Sequence, residues 1–279
     1  MIFAKSLLSA AFFVASVASL SIPSGNLNTL NKRETCPANY DDDKSPSCPK
    51  NVMSCTSEDV DPCCTPKYGL LVLSQEWISN YGPKEEFTLH GLWPDMCNGT
   101  YLPELGCDQT RSVSSAATVV KNLDPELFNT MSRIWPSYNG DNDSFWTHEW
   151  NKHGTCYTPL DPSCKPKSQF KNGTDVTDFF KTTIGLRQKY DLYSALKKEG
   201  IVPVPAPQGN NTAKTYSVDQ IRNAIHNEFG QFPNVNCLNN TLSEIWLYFH
   251  VIGKDQFVLI PPTANDTCGS AINYFEKTV

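Results

Sequence analysis

The chain has 279 residues, with 23 Lys+Arg against 29 Asp+Glu and eleven cysteines. Its formal charge of −6 and pI near 5.4 exclude a protein that grips nucleic acid through a broad basic face. With 39% hydrophobic and 11% aromatic residues it is too apolar to be disordered, and its cysteine content suits an oxidising compartment.

Lys5 precedes an apolar run from Leu7 to Leu20 that ends in small residues, Ala15, Ser16, Ala18 and Ser19. The run falls short of the roughly 18–20 apolar residues needed to span a bilayer, so residues 1–21 read as a secretory signal peptide. Lys32-Arg33 reads as a dibasic cleavage site closing a propeptide over residues 22–33, and cleavage there would leave residues 34–279 as the mature domain. The removed piece holds Lys5, Lys32 and Arg33 and no acid, so the secreted form is more acidic than its precursor. Sequons at Asn98, Asn142, Asn172, Asn210, Asn239 and Asn265 fit that route and place those asparagines on the surface.

The stretch from Cys36 to Pro66 is cysteine-dense and loop-like. Tyr68–Trp77, rich in Leu and Val, reads as a strand, and Phe87–Trp93 as a second that stops at Pro94. Helical pattern lies within Ser112–Ile134 and ends at Trp135-Pro136. Val176, Phe179, Phe180 and Ile184, then Tyr190, Tyr193 and Leu196, recur at helical spacing, with an interruption expected near Gly185. Ser217-x-x-Gln220 resembles a capping box opening a helix that Gly230 closes. Ile245–Ile252 and Phe257–Ile260 read as strands around a turn at Gly253. Without a regular βαβ rhythm, the fold class is α+β: a central, largely antiparallel sheet with helices packed around it, in one disulfide-stapled domain.

None of the cysteines forms a Cys-x2-Cys pair matched to another, so a disulfide framework of up to five bridges is preferred over zinc, with one cysteine left over. Three of the five histidines fall in two segments, Phe87–Asp95 and Phe145–Cys156. In the second, helical spacing sets Phe145, His148, Glu149, Lys152 and His153 along one stripe, with Trp146 and Trp150 on a core-facing side and Gly154 placed to end the helix. A His-Glu-x-x-His zinc site needs histidines four apart. Here they are five apart, about 140° of helical rotation, so metal ligation is not expected.

Two histidines and a cation without a metal suit cleavage of RNA by its own 2′-hydroxyl. That reaction needs a base for the hydroxyl proton, an acid for the leaving 5′-oxygen and positive charge at the phosphate. Histidine, with an ordinary pKa near 6.5, can serve in either protonation state. The segments Leu89-His-Gly-Leu-Trp-Pro-Asp95 and Trp146-Thr-His-Glu-Trp-Asn-Lys-His-Gly-Thr-Cys156 resemble the two active-site segments of the ribonuclease T2 family, and the likeness runs from about Cys48 to Cys268.

The resemblance implies a secreted, metal- and cofactor-free endoribonuclease that yields 2′,3′-cyclic phosphates and then 3′-phosphates, binding RNA transiently as a monomer. By the same resemblance His153 is the general base and His90 the general acid. His148 holds phosphate, while Glu149 and Lys152 polarise it. Trp93, Asp95 and Tyr101 line the primary base pocket, and Phe145 serves a second base site. It further implies the bridges Cys48–Cys64, Cys55–Cys97, Cys63–Cys164, Cys107–Cys156 and Cys237–Cys268, leaving Cys36 unpaired. Glu76 stands where related fungal enzymes carry an amide in the second base site. His226 and His250 match no catalytic position. An acidic pH optimum is expected, because a carboxylate such as Glu149 favours protonated imidazoles nearby. The competing reading is a non-catalytic RNA-binding or toxin-like secreted protein on the same fold.

Overall fold

The computed structural model describes residues 48–49, 51–57, 59–208 and 213–278. The leader, the dibasic pair, Cys36 and Asn210 lie outside the described residues. Among those residues, β1 (Leu70–Glu76), β2 (Thr88–Asp95), β3 (Thr215–Tyr216), β4 (Asn234–Leu238), β5 (Thr241–Ile252), β6 (Gln256–Ile260) and β7 (Ile272–Asn273) form one sheet. The order is β2-β1-β5-β7-β3, and β4 and β6 also pair with β5. All pairings are antiparallel except the short one between β5 and β7. With α1 (Ala116–Leu123), α2 (Pro125–Ile134), α3 (Asn142–His148), α4 (Thr174–Lys189), α5 (Leu192–Lys198) and α6 (Val218–Phe229) around it, the fold is α+β.

Side-chain alternation gives the sheet two different faces. Leu71 and Leu73 of β1 join Ile245, Leu247 and Phe249 of β5 in the main core, against Met131, Ile134, Phe179 and Phe180 from the helices. Each such buried side chain is worth about 1.5–3 kcal/mol. The other face carries a small apolar cluster of Leu70, Val72 and Tyr248, flanked by Trp93 and Trp246. Farther along β1 and β5 that face turns polar, with Ser74, Glu76 and Glu244. The register sets Glu76 directly opposite Glu244.

The capping box at Ser217 and Gln220 forms as expected, and Gly230 closes α6 at φ 82°. Other boundaries move. β2 runs through Pro94 to Asp95, because it pairs only with β1 and an edge strand tolerates a residue without an N–H. Helical pattern before Trp135 splits into two helices at Asp124, whose side chain accepts a hydrogen bond from Leu127 N and caps α2 ahead of Pro125. α4 passes unbroken through Gly185, and the break comes at Tyr190-Asp191, where Asp191 caps α5. The two-residue strands β3 and β7, too short to show a period, were not expected, nor was β4.

All five expected bridges are present: Cys48–Cys64, Cys55–Cys97, Cys63–Cys164, Cys107–Cys156 and Cys237–Cys268. Among the sequons, Asn98, Asn172, Asn239 and Asn265 are exposed. Asn142 is half-buried, and its Oδ1 accepts a hydrogen bond from Ser137 N.

Candidate active site

His90 occupies an irregularity in β2. Ser74 pairs with Gly91 and Gln75 with Leu89, which leaves His90 as an extra residue without a partner on β1. Such a bulge re-aims side chains. Three residues apart in a regular strand, His90 and Trp93 would face opposite ways; here their rings meet edge-on at 4.8 Å. The backbone at the bulge is held from below by Trp135, whose Nε1–H donates to His90 O at 2.8 Å.

The second segment departs from the α-helix. α3 ends at His148, and Glu149–His153 continues as a π-helical turn, followed by a 3-10 turn at Gly154–Cys156. In a π-turn the hydrogen bond runs from i to i+5, so residues five apart stack. This overturns the expectation that His148 and His153 diverge: their ring centroids are 6.0 Å apart, and ligand atoms of His148, Glu149 and His153 all lie within 4.8 Å of one another.

Gly154 is likewise not a left-handed helix end, since its φ is −62°. It is needed because a Cβ there would come within 2.3 Å of the Trp150 ring. Anchors on the core side hold the turn. Trp146 Nε1–H donates to Trp135 O, Trp150 Nε1–H donates to Arg111 O, and the Asn151 amide bonds both N–H and C=O of Val113. The Cys107–Cys156 bridge ties down its end.

The two segments meet at Glu149. This carboxyl is 1% exposed and accepts a hydrogen bond from Trp93 Nε1 at 3.0 Å. Burial pushes its pKa up to about 7. A Cβ at Gly91 would lie 2.0 Å from Glu149 Oε2 and 2.4 Å from Trp93 Nε1, so the pair requires glycine there.

The imidazoles are set in opposite directions. Burial alone would lower the His90 pKa, but a hydrogen bond to Glu244 and the charges of Glu149, Glu76 and Glu244 raise it to about 9. His153 is pushed down to about 3 by burial and by His148, Lys152 and His90. His148 is also lowered, first by burial and then by Lys152. The expectation that a nearby carboxylate favours protonated rings therefore holds for His90 and not for His148 or His153. Lys152 is half-buried and its Nζ meets Glu104 Oε2 at 2.6 Å.

His90, Trp93, Phe145, His148, Glu149 and His153 are brought together: Trp93 lies 5.6 Å from the His153 ring and Phe145 lies 5.8 Å from His90. Asp95 is buried, which pushes its carboxyl up to about 7. Tyr101 is 82% exposed. Both lie near Tyr248, whose hydroxyl is pushed up to about 12 by burial first and by these neighbours after it. His226 stacks on Phe232, and His250 is half-buried in β5, so neither belongs to the cluster.

A model of the Ribonuclease T2 family matches residues 62–268. The chain belongs to the ribonuclease T2 family. Curated relatives agree: Ribonuclease Rh of Rhizopus niveus is 41% identical over 83% of this chain and 93% of its own length. Ribonuclease T2 of Aspergillus oryzae is 37% identical over 83% and 84%. The crystal structure of Actibind, described as a T2 ribonuclease, superposes with a TM-score of 0.75 at 32% identity, covering 85% of this chain and all of that one. Human RNase T2, at 23% identity and a TM-score of 0.53, shares the fold. The protein is a T2-type endoribonuclease.

Sequence reasoning missed three neighbours of the T2 cluster. Glu244 lies 154 residues from His90 and only the sheet register joins them. Trp246 packs against Trp93 at 5.5 Å and donates to Glu244. Gly91 carried a signal in the quoted motif, but its reason, the close pass of Glu149, is visible only in three dimensions.

Proposed function

We propose that this ribonuclease cleaves single-stranded RNA, without a metal, through the substrate's own 2′-hydroxyl, releasing 2′,3′-cyclic phosphates and converting part of them to 3′-phosphates. The observation that carries this reading is the opposite setting of two imidazoles in one site, His90 held against the carboxylates of Glu244 and Glu76 and His153 buried beside Lys152.

Neutral His153 takes the 2′-hydroxyl proton as O2′ bonds to phosphorus. Protonated His90 gives its proton to O5′ as the P–O5′ bond breaks. In the second step the roles reverse, and water replaces the departed nucleoside. Lys152 and His148 supply donors for the phosphate, where negative charge builds. Glu149 contributes as a neutral acid below about pH 7, since an ionised carboxylate would repel the phosphate. Trp93, Asp95 and Tyr101 form the primary base pocket and Phe145 a second base site. Stacking at about 1–3 kcal/mol per base suits broad base tolerance.

Metal independence rests on charge and no longer on helical spacing. Burial first, and then the charges of Lys152 and protonated His90 among others, hold His153 deprotonated, and those same charges oppose a divalent cation at His148, Glu149 and His153. The signal at residues 1–21, the dibasic site and the five bridges support secretion, with glycans on the exposed sequons. The mature 34–279 domain acts as a monomer that binds RNA briefly. No helix among the described residues is long and apolar enough to cross a membrane.

The non-catalytic alternative lacks support here, since His90, His148 and His153 are all present in one cluster. Replacing His90 or His153 with Phe tests the roles. Each variant is expected to fold and lose RNA cleavage, and near-normal activity in either would overturn the assignment.

A further inference from the structure

His90 does not stand alone on its face of the sheet. Its Nδ1 lies 3.1 Å from Glu244 Oε1 and 3.4 Å from Glu76 Oε1. Carboxylates only accept, so Nδ1 must carry the proton in this contact, which leaves Nε2 as the nitrogen available to a substrate. The outer oxygens are also committed. Glu244 Oε2 accepts from Ser74 Oγ at 2.9 Å and from Trp246 Nε1, while Glu76 Oε2 accepts from Tyr81.

Two acids placed opposite each other on paired strands repel unless a cation lies between them, and His90 occupies that place. The acids differ in character. Burial pushes Glu76 up, whereas in Glu244 the effect of burial is outweighed by the hydrogen bond from His90, and its pKa falls. Glu244 is thus the ionised partner and Glu76 the weaker one.

We propose that Glu244, assisted by Glu76, is a positioning residue for His90: it accepts the Nδ1 proton, sets the tautomer and ring plane, and supplies the counter-charge of the imidazolium that donates to the leaving oxygen. The other titratable and charged groups around His90 are Glu149 from the π-turn and, on the same segment, Lys152 and the two imidazoles His148 and His153, which are held toward their neutral forms. Lys277 from the carboxy-terminal stretch acts on Glu76. Among the described residues, Glu244 and Glu76 are the ion-pair partners of His90 within 4 Å.

This inference rests on the reading of His90 as the acid, and its test separates the two. The His90 ring resonance, identified by its absence in His90→Phe, is followed by NMR in the full chain. It is expected to titrate well above 6.5 in the unmodified protein. In Glu244→Gln the midpoint should fall by about one to two units and kcat by about tenfold, with KM within about twofold. Glu76→Gln should move both in the same direction by less, and Glu244→Asp should partly restore them. A His90 midpoint at or below 6.5 in the unmodified protein overturns the proposal even if the variants fail to fold. So does a Glu244→Gln variant that keeps both midpoint and kcat while His90→Phe is inactive. An active His90→Phe would instead overturn the role of His90 itself.

Discussion

Replacing Gly91 with alanine tests whether the two segments must touch for the site to work. The new Cβ would sit 2.0 Å from Glu149 Oε2 and 2.4 Å from Trp93 Nε1. A comfortable contact is about 3.5 Å, so the carboxyl must retreat by roughly 1.5 Å and its bond to Trp93 must break. Because the clashing oxygen is the tip of a side chain, the fold should survive, at a cost of about 1–3 kcal/mol. Catalysis should suffer more. A misplacement of about 1 Å in a catalytic group costs on the order of 100-fold, or about 2.7 kcal/mol of barrier. Steady-state cleavage of a dinucleoside phosphate, alongside a urea denaturation curve, reads both quantities. An alanine variant with kcat/KM within threefold of the unmodified enzyme would refute the requirement for a seated Glu149.

Three further outcomes follow from the same geometry. His153, with its pKa lowered to about 3, is neutral above that value, and Glu149, raised to about 7, is protonated below it, while His90 stays protonated to about 9. Activity should therefore rise near pH 3 and begin to fall near pH 7. In Glu149→Gln the fall should shift toward pH 9, and an unmoved limb would exclude Glu149 as the titrating group. Arg111 pairs with Asp175 at 3.1 Å with both side chains buried, and Arg111 lies over the Trp150 ring that anchors the π-turn. Asp175→Asn should cost about 3–5 kcal/mol in denaturation, and a loss below about 1 kcal/mol would contradict this. Glu104→Gln should free Lys152 and lower KM by no more than about threefold, an effect that disappears in high salt. A raised KM would show that Glu104 helps rather than competes.

Local chemistry was legible in the sequence. The capping box at Ser217 and Gln220, the core-facing tryptophans 146 and 150, and the two histidine segments are each written within about ten residues. What could not be read depends on departures from regular periods. A strand period of two separates His90 from Trp93, and only the bulge unites them. A helical period of 3.6 separates His148 from His153, and only the π-turn brings their rings edge to face. The bridges and the site roles came from likeness to a family and not from spacing. Glu244 was invisible because no local pattern links it to His90. The acidic net charge excluded a broad basic grip, yet the proposed mechanism calls only for Lys152 and protonatable rings beside aromatic faces.

The central claim is that the substrate's own hydroxyl is the nucleophile and that two imidazoles, not a metal, move the protons. Incubating single-stranded homopolymer RNA with the enzyme in EDTA, and identifying the product ends over time, tests it most directly. Early products ending in 2′,3′-cyclic phosphate, converting later to 3′-phosphate at an undiminished rate, are predicted. Ends bearing 5′-phosphate, or activity lost in EDTA and restored by zinc, would contradict it.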